Sequence, residues 1–411
     1  MIVRDDEEVD EDLLAAASQA LAAHGNRAAL ELRKSVTDPQ LVAQALTFAQ
    51  LRQRAEGKFA PADAKRLLFT RAGLEQATRA VVATRRAERF AQLGATRVAD
   101  LGCGIGADAY AFARAGIDVM AVEADAHTAQ LVQHNAHALG LEDRIEVRHA
   151  DAMEVDLTGC DAVFSDPARR GGKGRVFDPS QYSPPLDALL ERLRPTSAFS
   201  GGVALKLSPG VDHRWLPPEA EAEWVAVERD VVEACLWLEP PTSTQRRAAA
   251  FVDGRWHELT GTGRDSAEVG PVARYLYEPN GAVLRSGLVA QLAQILKAHL
   301  AHPDIAYMYA DQARRHPLAR VWEVEEVWPL QPRKLRPLLA QRGIGRLTIK
   351  QRGTGIVPDE FRKQLHLRGS KEATLVATRV DQQHVALLCR EVYSPKDQGQ
   401  MYAPDAAQPD R

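Results

Sequence analysis

Residues Val98–Asp108 read V-A-D-L-G-C-G-I-G-A-D, and no other stretch of the chain restricts its fold so tightly. An apolar run ends at Asp100. Gly102, Gly104 and Gly106 follow at alternate positions, and Asp108-Ala-Tyr-Ala-Phe then opens a helix. Glycines in such a turn permit positive φ and remove the side chains that would hold a ligand away from the backbone. The pattern predicts a nucleotide-type cofactor cradle at the carboxyl end of a parallel strand, where open α/β sheets bind ligands. Gly102-x-Gly104-x-x-Ala107 also satisfies the relaxed dinucleotide pattern, so the glycines alone leave a nicotinamide dinucleotide open.

The runs beyond the turn carry more. Val119-Met-Ala-Val-Glu123 is a second strand ending in an acid, as a ribose diol requires with either cofactor. Arg144-Ile-Glu-Val-Arg-His-Ala-Asp151 is a third, followed by Ala152-Met153, and Asp161-Ala-Val-Phe-Ser165-Asp166-Pro167 is a fourth. Gly201–Pro209 reads as a fifth strand, and Glu233–Leu238 with Arg247–Val252 as a terminal antiparallel pair. From about 91 to 260, strands alternate with helical segments, which predicts an α/β, Rossmann-like, mostly parallel sheet with helices on both faces. Strands closed by acids, beginning D-x-G-x-G-x-G, resemble a class I S-adenosylmethionine (SAM) methyltransferase.

At 411 residues the chain is long enough for two or three domains. Its 45% hydrophobic and 26% charged residues can build sizeable cores. Cys103, Cys160, Cys235 and Cys389 show no C-x-x-C spacing, which argues against a zinc ribbon or a disulfide framework and fits a cytoplasmic protein. The opening Met1-Ile-Val-Arg-Asp-Asp-Glu-Glu lacks the features of a secretory signal. No apolar run approaches about 18 residues, so no membrane span is expected. The histidines lack H-x-x-x-H or H-E-x-x-H spacing, and no metal is expected.

Residues 1–12 read as a disordered acidic tail, and 395–411 as a second disordered tail. Residues 13–90 form a helical N-terminal domain of about five helices, the last over Leu74–Phe90; it could act as a lid over the cofactor or simply as a packing domain. Residues 261–320 are a linker or accessory segment with a helix at about Ser286–His299. A small α+β unit follows over 321–394. Within it, eleven cations between Arg333 and Lys371 face only Asp359 and Glu360, a local charge of +9 in a chain of net charge −3. Such segregation is the footprint of a polyanion site, with a solvated basic face as the bland alternative. Phe361 is the one aromatic among these charges, so backbone or shape recognition is expected rather than base stacking.

With both ends in place, the chain resembles a bacterial family of class I SAM methyltransferases carrying a C-terminal THUMP-like domain. The resemblance covers nearly the whole chain and rests on A-D-L-G-C-G-I-G-A-D, S-D-P-A-R-R, L-K-L-S-P-G and the basic unit containing I-K-Q-R-G. THUMP domains are RNA-binding modules, so the resemblance implies methylation of a base in a structured RNA, tRNA or rRNA. A non-catalytic RNA-binding protein that keeps the SAM fold, or a methyltransferase for a small molecule or protein, are the competing readings. For SAM, the resemblance implies Asp100 orienting either backbone or the amino-acid end, with Gly102, Cys103, Gly104 and Gly106 lining the carboxylate. It places Glu123 with Ala124 at the ribose, and Asp151 with Ala152 and Met153 at the adenine. Cys103 is a small filler of the turn rather than a nucleophile.

Ser165-Asp166-Pro167-Ala168-Arg169-Arg170 lies where amino-methyltransferases carry [DNS]-P-P-[YFW]. There the acid and the first proline's carbonyl accept from the target amine. Asp166 and Pro167 fit that pattern, whereas Ala168 and Arg169 depart from it; a guanidinium plane at Arg169 can stack on a base in place of the missing aromatic. Alternatively Arg169, Arg170 and Lys173 grip a phosphate near the target, or form a flexible basic loop. Arg346, Lys350 and Arg352 are the RNA-binding candidates of the C-terminal unit. Neither Asp166-Pro167 nor Leu207-Ser208-Pro209 supplies the cysteine that carbon-5 pyrimidine methylation uses. Lys206 is either a site residue or the neutraliser of a buried acid.

Overall fold

The computed structural model describes residues 10–392 apart from 169, 172–173, 176–177, 195–197 and 240–243. It divides into two units, Met1–Ala220 with Cys235–Thr242 and Glu221–Ala234 with Ser243–Arg411.

In the first unit, strands β1 (Arg97–Leu101), β2 (Asp118–Glu123), β3 (Ile145–His149), β4 (Ala162–Ser165) and β5 (Gly202–Leu207) run parallel in the order β5-β4-β1-β2-β3. The near-continuous apolar runs of β2, β4 and β5 suit strands buried on both faces, whereas β3 (I-E-V-R-H) is largely open. The chain passes from β1 to β2 on one side, while β4 lies on the other. That reversal is the switch point where open α/β sheets form a crevice. Register places Leu101 beside both Val122 and Ser165, so the chain leaving β1 meets the chain leaving β4.

Helices α1 (Glu11–His24), α2 (Pro39–Ala55) and α3 (Ala80–Gln92) precede β1, with shorter helices at Ala28–Leu32, Pro61–Ala64 and Arg71–Gln76. Asp10 caps α1 by accepting from the Leu13 amide, and Glu11 and Asp12 occupy the first turn. That places them in a helix, where acids favour its positive end, inside the stretch assigned above to a tail. Leu14, Ala17 and Ala45 share one core with Val98, Phe112 and Phe164 of the sheet layer. The stack continues from Phe90 to Phe112 at 5.4 Å and from Phe112 to Phe164 at 5.8 Å. The helices are therefore a packing layer of this unit.

The helix expected over Leu74–Phe90 is interrupted at 77–79. Lys58 accounts for the break. Its ammonium donates to the carbonyls of Leu74, Glu75 and Ala77 at 2.7 to 3.1 Å, and its own carbonyl accepts from the Ala80 amide. Helix α4 (Ala107–Arg114) leaves the glycine turn, and α5 (Ala126–Leu139) runs from an Asp125 cap to left-handed Gly140.

In the second unit, Arg246–Val252 pairs in parallel with Glu221–Val227 and antiparallel with Arg255–Gly261. The antiparallel partner anticipated for it, Glu233–Leu238, is therefore not its neighbour. Asp253-Gly254, both at positive φ, close a two-residue hairpin that gives Arg255–Gly261 the local advantage. The anticipated helix at Ser286–His299 is two helices, Gly281–Ser286 and Val289–Leu296, divided at left-handed Gly287.

A seven-stranded sheet has the order His299–Leu300, Met308–Ala310, Tyr275–Pro279, Ala319–Pro329, Gln383–Glu391, Lys371–Val380, Ile344–Gln351. Alternating side chains build two cores. Leu375, Ala386 and Leu388 join Leu335, Leu339, Phe361 and Leu365 of the helices Pro332–Gln341 and Pro358–Leu365. Val376, Leu387 and Cys389 join Leu276, Tyr307, Tyr309 and Trp322. Strands of the 261–320 segment thus belong to the same sheet as the C-terminal strands.

Candidate active site

The glycine turn is built as its spacing requires. Gly102, Gly104 and Gly106 have φ of 80°, 56° and 85°. A Cβ on Gly106 would come within 2.5 Å of the Tyr110 ring, while Gly104 has nothing within 4 Å and leaves an open face. The amides of Gly102 and Cys103 donate to the Val122 carbonyl at 2.9 and 3.0 Å, and that of Gly106 donates to Cys103. Gly104 donates to Glu123 Oε2 at 3.0 Å. The turn therefore offers shape and open space, its amides being engaged within the fold. Burial, with Asp100 and Glu123 nearby, pushes the Cys103 thiol well above its ordinary range, which disfavours a nucleophilic thiolate.

Glu123 is half-buried, and its second oxygen accepts from the Asp125 amide at 3.0 Å. Each carboxylate oxygen thus keeps a lone pair for a further donor. Ala124 follows it on the surface. Asp151 Oδ1 accepts from the Met153 amide at 2.7 Å, closing the turn that holds Ala152 and Met153 half-buried after β3.

Asp100 is only 1% exposed, and neither of its carboxylate oxygens has a hydrogen-bond partner among the described residues. Burial raises its carboxyl well above the usual carboxylate range. The charges of Asp108 and Asp166 add to the rise, and those of Arg86 and Lys206 oppose it. In this cluster of three acids and two cations the carboxylates outnumber the cations by one. A buried carboxylate without a donor is energetically costly unless a ligand completes it. The orphaned Asp100, the open face at Gly104 and the remaining lone pairs of Glu123 together fit a cofactor that carries a cationic amino-acid end and a ribose.

Asp166 follows β4 beside Gly102, whose added Cβ would lie 3.4 Å from the Asp166 carbonyl. Its Oδ2 accepts from Lys206 Nζ at 2.6 Å. Oδ1 has no partner among the described residues, and a quarter of the side chain is open to solvent. Lys206, near the end of β5, is 4% exposed, and the acid it pairs with is the partly open Asp166 rather than a buried one. Lys206 also donates to Thr78 Oγ1 at 3.0 Å, Thr78 donates to Asp108 Oδ2 at 2.6 Å, and Arg86 pairs with Asp108 Oδ1. Pro167 is buried. Thr78, Arg86 and Asp108 carry no recognisable motif; the one sequence sign was an acid opening the helix after the glycine turn. Arg169 and Lys173 lie outside the described residues. Of Arg170 only the backbone is described, paired with Arg175 in a two-residue hairpin.

In the second unit the three basic candidates are all engaged. Lys350 Nζ donates to Glu278 at 2.7 Å and lies 4.9 Å from the Trp322 ring. Arg352 is 3.9 Å from Glu278 and stacks over Tyr307 at 5.1 Å, and exposed Arg346 pairs with Glu372 at 2.8 Å. Arg333, Lys334, Lys363, Arg368 and Lys371 are exposed and have no acidic partner among the described residues; Arg336, also exposed, donates to the Gln364 carbonyl. These six lie on the two helices, the turn that follows the second, and the first residue of the strand Lys371–Val380. Among the described residues no group of three or more His, Cys, Asp or Glu could hold a metal ion, and no helix is long and apolar enough to cross a membrane.

A family model described as a methyltransferase domain matches residues 98–168, and one described as THUMP domain-like matches residues 319–391. Two curated relatives come from Mycobacterium tuberculosis, strains CDC 1551 / Oshkosh and ATCC 25618 / H37Rv. Both are named as uncharacterized S-adenosylmethionine-dependent methyltransferases. Each is 33% identical over 337 residues, covering 80% of this chain and 90% of the relative. A solved structure from Porphyromonas gingivalis W83, 22% identical, shares the fold with a TM-score of 0.74 over 93% of this chain and 99% of its own.

Proposed function

Because the chain belongs to the S-adenosylmethionine-dependent methyltransferases and carries a C-terminal THUMP-like domain, we propose that it methylates a base in a structured RNA, tRNA or rRNA. The observation that carries this reading is the pairing of a half-fixed acid at the switch point, Asp166, with a THUMP-like unit whose two helices present unpaired cations. The reaction is placed in the cytoplasm, consistent with four free cysteines.

When bound, SAM supplies an electrophilic methyl group on a sulfonium. Asp100 would face the cationic amino-acid end, the open face of Gly104 with Gly102, Cys103 and Gly106 would admit its chain, and Glu123 beside Ala124 would accept from the ribose hydroxyls. Asp151, Ala152 and Met153 border the adenine. Asp166 Oδ1 and the Pro167 carbonyl would accept N–H hydrogens of the target amine and fix its orientation, the positioning that an in-line displacement needs. Arg169 is assigned to stacking on the target base, and Arg170 and Lys173 to a nearby phosphate. The test is a comparison of modified nucleosides, by mass spectrometry, in RNA from cells with and without this gene. We expect one methylated nucleoside to vanish; an identical profile would remove RNA as the substrate.

Arg346, Lys350 and Arg352 remain candidate RNA contacts. Replacing Lys350 would leave Glu278 with Arg352 alone, 3.9 Å away, and replacing Arg352 would leave it with Lys350 alone, so a change at either also disturbs that acid. Arg333, Lys334 and Lys363 test the electrostatics more cleanly. Charge reversal at these three should weaken RNA binding and flatten the plot of log K against log salt by about 0.7 to 0.9 per lost phosphate contact. An unchanged slope would move the polyanion site elsewhere.

A further inference from the structure

We propose that Thr78 and Lys206 are positioning residues for the acceptor acid, so that the N-terminal helical layer sets the orientation of Asp166. The inference rests on the reading of Asp166 as the group that receives the methyl acceptor.

Asp166 follows the fourth strand and, among the described residues, is bonded through one side-chain oxygen. A carboxylate held that way could rotate about χ2 and exchange its two oxygens, unless its partner is itself fixed. Lys206 is a long flexible side chain with three donors. In this fold it is buried, and Thr78 Oγ1 accepts one of its hydrogens at 3.0 Å while the carboxylate takes another at 2.6 Å. Thr78 is 5% exposed, and its single hydrogen is committed to Asp108 Oδ2 at 2.6 Å, which turns a hydroxyl lone pair toward Lys206. Asp108 is fixed in turn by Arg86, whose guanidinium lies 4.3 Å from the Phe164 ring centroid. The donors therefore run in one direction, from Thr78 to Asp108 and from Lys206 to both Thr78 and Asp166.

Thr78 reaches this position only because the chain breaks helix between Gln76 and Ala80, at the carbonyls that Lys58 gathers. A continuous helix would carry its side chain elsewhere. The interruption, which propensity alone does not anticipate, thus ties an N-terminal residue to the acid beyond β4. Thr78, Asp108 and Lys206 are buried, and a break in a buried hydrogen-bonded chain leaves an unpaired group, so the chain favours one arrangement up to the open oxygen of Asp166.

Thr78→Val is nearly isosteric but can neither donate to Asp108 nor accept from Lys206. Thr78→Ser restores both. The assay uses labelled SAM with total RNA from cells lacking this gene. We expect Thr78→Val to lower kcat by about 10- to 100-fold while KM for RNA and calorimetric Kd for S-adenosylhomocysteine change by less than about threefold, with Thr78→Ser close to wild type. A merely structural role would lower the melting temperature and donor affinity together and would not be rescued selectively. A second readout needs no acceptor. In protein labelled with 15N-lysine, the Lys206 ammonium, assigned by its loss in Lys206→Met, should exchange slowly in wild type and Thr78→Ser but be lost or shifted in Thr78→Val. Unchanged kcat or an unchanged ammonium resonance in Thr78→Val would overturn the inference. If wild-type protein fails to methylate the RNA, the proposed substrate falls while the ammonium resonance still decides the role of Thr78.

Discussion

Asp166→Ala should abolish methyl transfer, lowering kcat by at least about 1000-fold, and should destabilise the protein as well. The two losses have different origins. Activity fails because Oδ1 of Asp166 is the open acceptor beside the glycine turn, and alanine offers nothing in its place. Stability falls because Lys206 then keeps a buried ammonium without its carboxylate. Removing one partner of a buried pair costs about 3–5 kcal/mol, and the partly open Asp166 side puts this case near the lower end. For a unit of this size that is a melting shift of roughly 6–12 °C. Lys206→Met in the Asp166→Ala background removes the stranded charge and should restore most of the melting temperature with none of the activity. Donor affinity, measured by calorimetry, should hold or tighten slightly, since Asp100 loses one of the two carboxylates that oppose its ionisation. Turnover that survives in Asp166→Ala would dismiss the acid from the reaction.

Much of this site is legible in the chain itself. The alternate glycines require the positive φ values found at 102, 104 and 106, and the acids at strand ends follow from the parallel order they announce. Period-2 alternation likewise marks Leu375 and Val376 for opposite cores. What the sequence hides are contacts made at a distance. Nothing near Thr78 advertises Asp108 or Lys206, and nothing around Leu74–Phe90 reveals that Lys58 will cap three carbonyls and stop a good helix pattern. The basic run from Arg333 to Lys371 shows the same limit. Composition counts eleven cations alike, whereas folding pairs Lys350 and Arg352 with Glu278 from a segment seventy residues earlier and leaves Arg333, Lys334 and Lys363 to solvent. The clean test of polyanion binding therefore moves from a strand to the helices.

Asp100→Asn should make the protein more stable in alkaline buffer while weakening its hold on the donor. The Asp100 carboxyl titrates well above the usual carboxylate range, first because it is buried and then because Asp108 and Asp166 lie near. The unfolded chain loses this proton near pH 4, whereas the folded protein keeps it to higher pH. Between those two values the folded state binds the extra proton, so raising the pH lowers stability by about 1.4 kcal/mol per pH unit from this group until its folded titration is complete. Asparagine carries no such proton, and its melting temperature should exceed that of wild type increasingly as the pH rises above about 4, until the folded carboxyl has titrated. Donor binding carries the opposite sign. A cationic amino-acid end favours the ionised carboxylate, so wild-type affinity should rise with pH and binding should release a proton, visible as a calorimetric enthalpy that depends on the buffer's ionisation enthalpy. Asp100→Asn should bind the donor about 10- to 100-fold more weakly and release no proton there. Equal affinities and equal buffer dependence in the two proteins would mean that the unpartnered carboxylate meets no ligand charge, and the donor's amino-acid end would have to lie elsewhere along the turn.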